Sequence, residues 1–134
     1  MSGERRLLRP LVYVAGPITS PSPMVNTHRG LRVASVLLDS GVCVPMVPHL
    51  STFWDIVKPR DYETWMRYDL DMIEHCHALV RLDGVSAGAD REVVHAQSIG
   101  LPVFPVVNTM SAAALDGIGR CLSWCERWIS ERAL

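Results

Sequence analysis

Four short apolar runs, separated by longer stretches with helical spacing, are the feature that most restricts how this chain can fold. The runs occupy residues 11–15, 42–47, 78–82 and 102–107, are rich in valine, and are mostly followed by Gly, Pro or Asp. Runs of this length and composition are typical of buried strands. Strands that alternate with helices form a mostly parallel sheet covered on both faces. We therefore predict a doubly wound α/β fold with four to five strands.

The predicted helices lie between these strands and after the last one. We place them over residues 27–40, 61–75 and 89–99, and from about residue 111 onward. Asn26 is the expected N-cap of the first helix and Gly41 the residue that ends it. Pro45 cannot donate to a β-ladder, so the second strand is expected at an edge of the sheet or near the strand's end.

Residues 48–60 are predicted to form a loop that carries His49, Phe53 and Trp54. Exposed aromatic side chains in a loop either cover a ligand or pack on the core. The sequence favours neither alternative.

Length and charge restrict the classes of partner. A chain of 134 residues suffices for one core, so residues 1–134 are expected to form a single domain. The formal net charge is -1, without the clustered Lys and Arg that bind nucleic acid polymers or anionic membranes. No stretch approaches the roughly 18 uncharged apolar residues of a membrane span, and no convincing signal peptide precedes the first strand. We expect a cytoplasmic protein that binds a small molecule.

The four cysteines lie in apolar or helical surroundings and form no C-x-x-C pair, and they are Cys43, Cys76, Cys121 and Cys125. We predict buried, reduced thiols. His75 and His77 flank Cys76, but three adjacent residues at a helix end point in different directions. No metal site is expected.

Asp69 falls within the apolar stripe of the predicted third helix, whereas Asp71 falls on its polar face. An acid on an apolar face must be paired, protonated or functional. Asp69 is therefore a candidate functional residue.

Ligands of doubly wound sheets bind outside the carboxyl ends of the strands. Gly16, Pro17 and Ile18 follow the first strand, and Ser86 and Gly88 lead from the third strand into a helix. Backbone N–H groups at such a turn suit an anion such as phosphate. The turn lacks the lysine of a P-loop and the G-x-G-x-x-G of a dinucleotide fold. These five residues are candidate substrate-binding residues, and no cofactor is expected.

Glu92 is expected in the first turn of the helix that follows, on its inward side beside Val93 and Ala96. There the positive end of the helix favours the ionised form. An ionised, partly buried carboxylate can attack an anomeric carbon and stabilise its positive charge. A glutamate placed only to complement the helix dipole is the simpler alternative, and the residue alone favours it.

Three segments, in the same order and spacing, resemble the nucleoside 2-deoxyribosyltransferase superfamily. They are Tyr13-Val14-Ala15-Gly16-Pro17-Ile18, then Asp69-Leu70, then Ser86-Ala87-Gly88 with Glu92 and Gly100-Leu101-Pro102-Val103. The resemblance spans roughly residues 11–107 and is greatest to small nucleoside 5′-monophosphate N-glycosidases and to related uncharacterised, often phage-encoded, proteins. It implies a flavodoxin-like or Rossmann-like sheet and cleavage of the bond between a base and a ribose or deoxyribose.

The resemblance also implies a role for each matching residue. Glu92 matches the nucleophile of a glycosyl-enzyme intermediate, Tyr13 the hydroxyl that orients it, and Asp69 the acid that assists the departing base or the sugar. Gly16 lines the sugar site, and Ser86 matches a serine that binds the 5′-phosphate. Free-nucleoside transferases carry an aspartate at that position, so a nucleotide is the expected substrate. The implied activity is an N-glycosidase, with a base-exchanging deoxyribosyltransferase or a non-catalytic nucleotide-binding module as alternatives.

The chain departs from the superfamily pattern at two places. Asp90 and Arg91 replace a glycine and an apolar or aromatic residue before the nucleophile, and Asp90 favours the non-catalytic alternative. Pro17 and Thr19 replace a polar and basic pair that helps to hold phosphate in some relatives. Arg91 or Arg29 is a candidate substitute for the missing cation.

The sites of the superfamily are often completed by a neighbouring subunit near the loop after the fourth strand, here Asn108 and Ser111. Ser111 serves equally well as a helix cap. The four tryptophans and the apolar last helix are compatible with a homodimer.

Overall fold

A computed structural model describes residues 8–107 and 114–133, which form one layered α/β unit. Its elements are β1 (Leu11–Ala15), α1 (Pro23–Ser40), β2 (Val44–Met46), a 3-10 helix (Pro48–Leu50), α2 (Ser51–Val57), α3 (Tyr62–Glu74), β3 (Ala78–Leu82), α4 (Ala87–Ser98), β4 (Val103–Val106) and α5 (Ala114–Arg132).

The four strands form one parallel sheet in the order β2-β1-β3-β4. This is the strand order of flavodoxin-like sheets. In the register Tyr13 on β1 lies between Met46 on β2 and Leu79 on β3. The β2 strand lies at an edge, which fits Pro45 because proline cannot donate to a second neighbour.

Alternating strand residues face two separate cores. Val12, Val14 and Val80 pack with α1 and α5 on one face. Tyr13 and Leu79 pack with α3 and α4 on the other. Helices therefore cover both faces, which confirms the predicted doubly wound arrangement.

Several predicted boundaries are confirmed. The strands at 11–15 and 78–82 have the predicted limits, and Asp61 caps α3 by accepting from Thr64 N at 2.8 Å. Gly41 ends α1 with a φ of 75°, a left-handed conformation that glycine adopts without strain. The second and fourth strands are shorter than predicted, and α4 begins at Ala87 rather than at residue 89.

The predicted start of the first helix is wrong. The helix begins at Pro23, and Ser22 is its N-cap, with Ser22 Oγ accepting from Val25 N at 3.4 Å. Proline at the first helical position loses no hydrogen bond, so Pro23 starts this helix rather than preventing it. Asn26 instead donates to the carbonyl oxygens of Ile18 (3.2 Å) and Ser20 (2.9 Å).

The prediction of a loop over residues 48–60 is also wrong, because this segment contains the 3-10 helix and α2. No residue of α2 is buried. Because the helix has no side that packs into the core, its sequence lacks the apolar periodicity by which a helix is recognised. Trp54 lies on α2 and contacts Trp65 and Tyr68 of α3 edge-on, with ring centroids 5.3 and 5.9 Å apart.

All four cysteines are buried free thiols, as predicted. Among the described residues, none of the helices combines the length and the apolar character that crossing a membrane requires.

Candidate active site

Tyr13 and Glu92 meet in the interior, on the face of the sheet covered by α3 and α4. The Tyr13 hydroxyl donates to Glu92 Oε2 at 2.5 Å, and both side chains are almost completely buried. Burial, followed by the negative charges of Glu92 and Asp69, raises the pKa of Tyr13 well above its usual value. Tyr13 therefore remains a phenol, and Glu92 is its acceptor.

Asp69 approaches the same carboxyl group from α3. Its side chain is 5% exposed, and Asp69 and Glu92 share a hydrogen bond. Two carboxyl groups can share a hydrogen bond only if one of them carries a proton. The three side chains that the resemblance singled out are therefore brought together, with one proton held between the two acids.

Burial raises the pKa of both acids. The pKa of Asp69 rises to about 7 and that of Glu92 to about 8. The neighbouring Asp69 raises the pKa of Glu92 further, whereas the hydrogen bond from Tyr13 lowers it. Burial outweighs the hydrogen bond because an ion loses most of its hydration inside the protein.

The prediction that Glu92 lies in the first turn of its helix is wrong, whereas its predicted inward side is confirmed. Ala87 is the first residue of α4, so Glu92 lies in the second turn, and Asp90 is the acid of the first turn. The favourable field of a helix end extends over about one turn. The helix end therefore does not offset burial, which raises the pKa of Glu92.

The loop after β1 is fixed by close contacts from three directions. Gly16 is buried, and a Cβ atom at this position would lie 2.9 Å from Leu82 Cβ. Gly84 has a φ of +117°, and a Cβ there would lie 2.9 Å from Pro17 Cγ. Ile18 is held through its carbonyl oxygen by Asn26. These contacts fix the candidate substrate-binding residues Gly16, Pro17 and Ile18 beside the loop that follows β3.

His49 supports this loop from the opposite side, so of the two alternatives for the aromatic residues of 48–60, His49 follows packing on the core. It is completely buried, and its Nε2 lies 3.1 Å from the carbonyl oxygen of Pro17. Burial lowers the pKa of His49 to about 4, so the ring is neutral at physiological pH and Nε2 is the donor. A Cβ on Gly30 would lie 2.8 Å from His49 Nδ1, so α1 holds the ring closely.

Ser86 and Gly88 lie at the start of α4. Ser86 is the N-cap, and its hydroxyl accepts from Ala89 N at 3.0 Å. A Cβ on Gly88 would lie 3.2 Å from Tyr62 Oη, so the glycine allows α3 and α4 to approach. Both residues thus have a structural role, which for Ser86 is additional to the phosphate contact that the resemblance implies.

The two charged residues that depart from the superfamily pattern before Glu92 each form an ion pair with another residue. Asp90 Oδ1 lies 3.0 Å from Arg81, whose guanidinium also donates to the carbonyl oxygens of Leu82 and Gly84. Asp90 therefore points toward the loop after β3 rather than into the cluster of buried acids.

The two candidate cations are also engaged. Arg91 donates to Glu63 Oε1 at 2.8 Å, and Arg29 donates to Asp83 Oδ1 at 2.7 Å. Asn108 and Ser111 lie outside the described residues.

A cavity of about 450 Å³ reaches Tyr13 and Asp69 from the β2 edge of the sheet. It extends along β2 and beneath α2, with Trp54 and Tyr68 in its wall. Trp54 is one of the aromatic residues that the sequence analysis expected either to cover a ligand or to pack on the core, whereas Tyr68 was not singled out. The cavity gives a molecule from solvent access to Tyr13 and Asp69, whose hydrogen-bond partner Glu92 is not among its lining residues.

The comparison with known proteins agrees with the extent of this fold. No match to the chain was found among the curated proteins with which it was compared. A family model described as "Domain of unknown function (DUF4406)" matches residues 10–105, which include β1 to β3, α4 and most of β4. Because this match covers well over half of the chain, the protein belongs to the DUF4406 family.

Proposed function

We propose that the protein is an N-glycosidase that cleaves the base–sugar bond of a (deoxy)nucleoside 5′-monophosphate through a glycosyl ester of Glu92. The observation that carries this proposal is the buried cluster of Tyr13, Asp69 and Glu92 beside a cavity. The cluster contains a nucleophile, a donor that orients it and a proton for the leaving group. The resemblance of the surrounding motifs supports the same assignment.

In the first step the shared proton moves from Glu92, the acid with the higher pKa, across their hydrogen bond to Asp69, and this transfer leaves Glu92 ionised. A Glu92 oxygen forms a bond to C1′ of the sugar while the bond from C1′ to the base nitrogen breaks. Asp69 donates its proton to the departing base, which leaves as a neutral molecule. The hydrogen bond from Tyr13 keeps Glu92 Oε2 in place while its partner oxygen reacts.

In the second step water resolves the ester. The water oxygen bonds to C1′, the bond from C1′ to Glu92 breaks, and ionised Asp69 takes the proton of the water. Both acids then return to their starting states. This sequence needs one proton on the acid pair, which is the state that the raised pKa values favour near neutral pH.

The preference for a 5′-monophosphate rests on Ser86, Gly88 and the helix N-terminus that they form. Free N–H groups at the start of a helix attract phosphate. With the base in the cavity and the sugar beside Glu92, Gly16 would contact the sugar. The homodimer, the contribution of Asn108 and Ser111 from a second subunit, and a cytoplasmic location remain parts of the proposal.

The test is to incubate the protein with ribo- and deoxyribonucleoside 5′-monophosphates and measure released base by chromatography. Each substrate is tested with and without a free acceptor base, and Glu92→Gln serves as the inactive variant. Release without acceptor that Glu92→Gln abolishes would support the hydrolase. Release only with acceptor would make the protein a transferase, and nucleotide binding without any release would favour a binding module.

A further inference from the structure

The cavity beside the acid pair is mainly apolar. Strand residues of one pleat face, Leu11 and Tyr13 of β1 with Val44 and Met46 of β2, form its floor. These residues share a face because side chains alternate along a strand. Met72 of α3 contributes a further apolar wall.

The volume exceeds what an unmodified base requires. Cavities of roughly 300–1,000 Å³ are typical of sites for drug-sized molecules, and this cavity measures about 450 Å³. A nucleobase alone would leave part of the apolar floor without a partner. A larger ligand that covers this apolar surface removes it from water, and this burial makes binding more favourable.

One residue that lines this apolar space carries a buried polar atom without a partner. Asp69 lines the cavity and is only 5% exposed. Its Oδ1 has no hydrogen-bond partner among the described residues. A buried carboxyl oxygen without a partner is costly, so a ligand N–H or O–H donor is expected to satisfy it. The Tyr13 hydroxyl already donates to Glu92.

Trp54 forms the outer wall of the cavity. Its ring contacts Trp65 and Tyr68 edge-on, and Arg60 lies 5.3 Å from its centroid. These contacts fix the ring, yet 48% of the side chain stays exposed. Trp54 therefore offers an aromatic surface to a planar ligand at the cavity mouth.

From the size, the apolar floor and the unpartnered carboxyl oxygen, we propose that the cavity selects bases that carry an apolar substituent. This rests on the proposed function, because it assigns the cavity to the leaving base. The heteroatom edge of the base would satisfy Asp69, and the substituent would lie along Leu11, Val44 and Met46. The preferred substrates would be nucleotides with alkylated bases rather than unmodified nucleotides.

The test measures binding of free bases by calorimetry, so that it does not depend on turnover. Adenine is compared with N6-butyladenine, and uracil with 5-butyluracil. In at least one pair the butyl compound should bind at least about tenfold more tightly, since even one methylene in an apolar pocket gives roughly tenfold discrimination or more. Equal affinities in both pairs would overturn the proposal, and the wild-type protein alone is sufficient for this comparison.

Val44→Phe places a larger side chain on the floor of the cavity and so reduces its volume. The ratio of the affinity for the butylated base to that for the unmodified base should fall to about threefold or less. Val94→Phe is the matched control, because Val94 is 66% exposed on α4 and does not line the cavity. A ratio that Val44→Phe leaves unchanged would show that the butyl group binds elsewhere.

The nucleotide cleavage assay separates the two proposals. Selective binding of butyl bases without cleavage of any nucleotide would refute the glycosidase and retain the cavity assignment. Cleavage of unmodified and butylated nucleotides at equal kcat/KM would refute the cavity selectivity and retain the glycosidase.

Discussion

Tyr13 and Glu92 are 79 positions apart in the chain, and the phenol of the first donates to the carboxylate of the second at 2.5 Å. Burial favours protonation of Glu92, whereas this hydrogen bond favours its ionised form. The carboxyl group of Glu92, the proposed nucleophile, is thus kept near the balance between its two protonation states.

Replacing Tyr13 with phenylalanine should shift this balance. Without the donated hydrogen bond the pKa of Glu92 rises, so the acidic limb of the rate profile should move to higher pH. The value of kcat/KM near pH 7 should fall about 10- to 100-fold, as expected for losing a hydrogen bond to a charged group. The measurement is kcat/KM against pH. Tyr62→Phe, at a 54% exposed tyrosine, is the control, and an unshifted profile in Tyr13→Phe would contradict the assigned role.

The acid pair predicts a bell-shaped dependence of kcat/KM on pH. Activity should rise as the pair loses its first proton near pH 7 and fall as it loses the second near pH 8.

Asp69→Asn should lower kcat/KM by about 100-fold or more, because the leaving base loses its acid. It should also remove the alkaline limb and move the acidic limb to lower pH, because Asp69 raises the pKa of Glu92. Asp71→Asn, on the exposed side of the same helix, should retain the bell-shaped pH dependence of kcat/KM expected for the wild-type protein.

The same raised pKa values predict how stability depends on pH. Both acids titrate near pH 4 when unfolded and near pH 7 to 8 when folded, so the folded state binds more protons in between. Their contribution to stability is complete below about pH 4 and is lost as pH rises to 8. Glu92→Gln should therefore increase the free energy of unfolding at pH 8 by on the order of 1 kcal/mol or more, and change it little at pH 4. Urea unfolding at both pH values measures this. Glu126→Gln on the surface is the control, and a Gln variant equally or less stable at pH 8 would refute the burial argument.

Gly30 should be intolerant of alanine. Its added Cβ would lie 2.8 Å from His49 Nδ1, and the ring is held at Nε2 by the Pro17 carbonyl oxygen. We expect Gly30→Ala to lower the free energy of unfolding by about 1–3 kcal/mol, the usual cost of overpacking. Gly119 is also a helical glycine, but a Cβ there has nothing within 4 Å. Gly119→Ala should be neutral or stabilising by up to about 1 kcal/mol, since alanine favours the helix. Equal effects of the two variants would show that His49 moves freely.

Asp90 tests whether its departure from the superfamily pattern affects chemistry. It pairs with Arg81 at the surface, and such pairs contribute less than about 1 kcal/mol. Asp90→Asn should therefore keep kcat/KM within about threefold of wild type in the cleavage assay. A rate increase of tenfold or more would show that Asp90 hinders the substrate.

Local patterns were sufficient to predict the parts of the fold where burial alternates regularly. The β1 and β3 strands have their predicted limits, and Asp69 stood out because its helix has one apolar side. The α2 helix could not be recognised, since its apolar residues remain exposed and follow no period. The supporting role of His49 could not be predicted, because it depends on contacts with Gly30 and Pro17, which are distant in the sequence.

Ionisation was harder to predict than position. The inward side of Glu92 was recognised, and its raised pKa was not. That pKa depends on the depth of burial and on Asp69, which comes from another helix, and neither is a local property of the sequence.

Because β1 is paired with β2 on one side and β3 on the other, its amides are bonded within the sheet rather than at a free edge. Exchange of such amides with solvent deuterium requires opening of the whole domain rather than local fraying. The backbone beneath the Tyr13 hydroxyl should therefore stay in place until the entire domain unfolds.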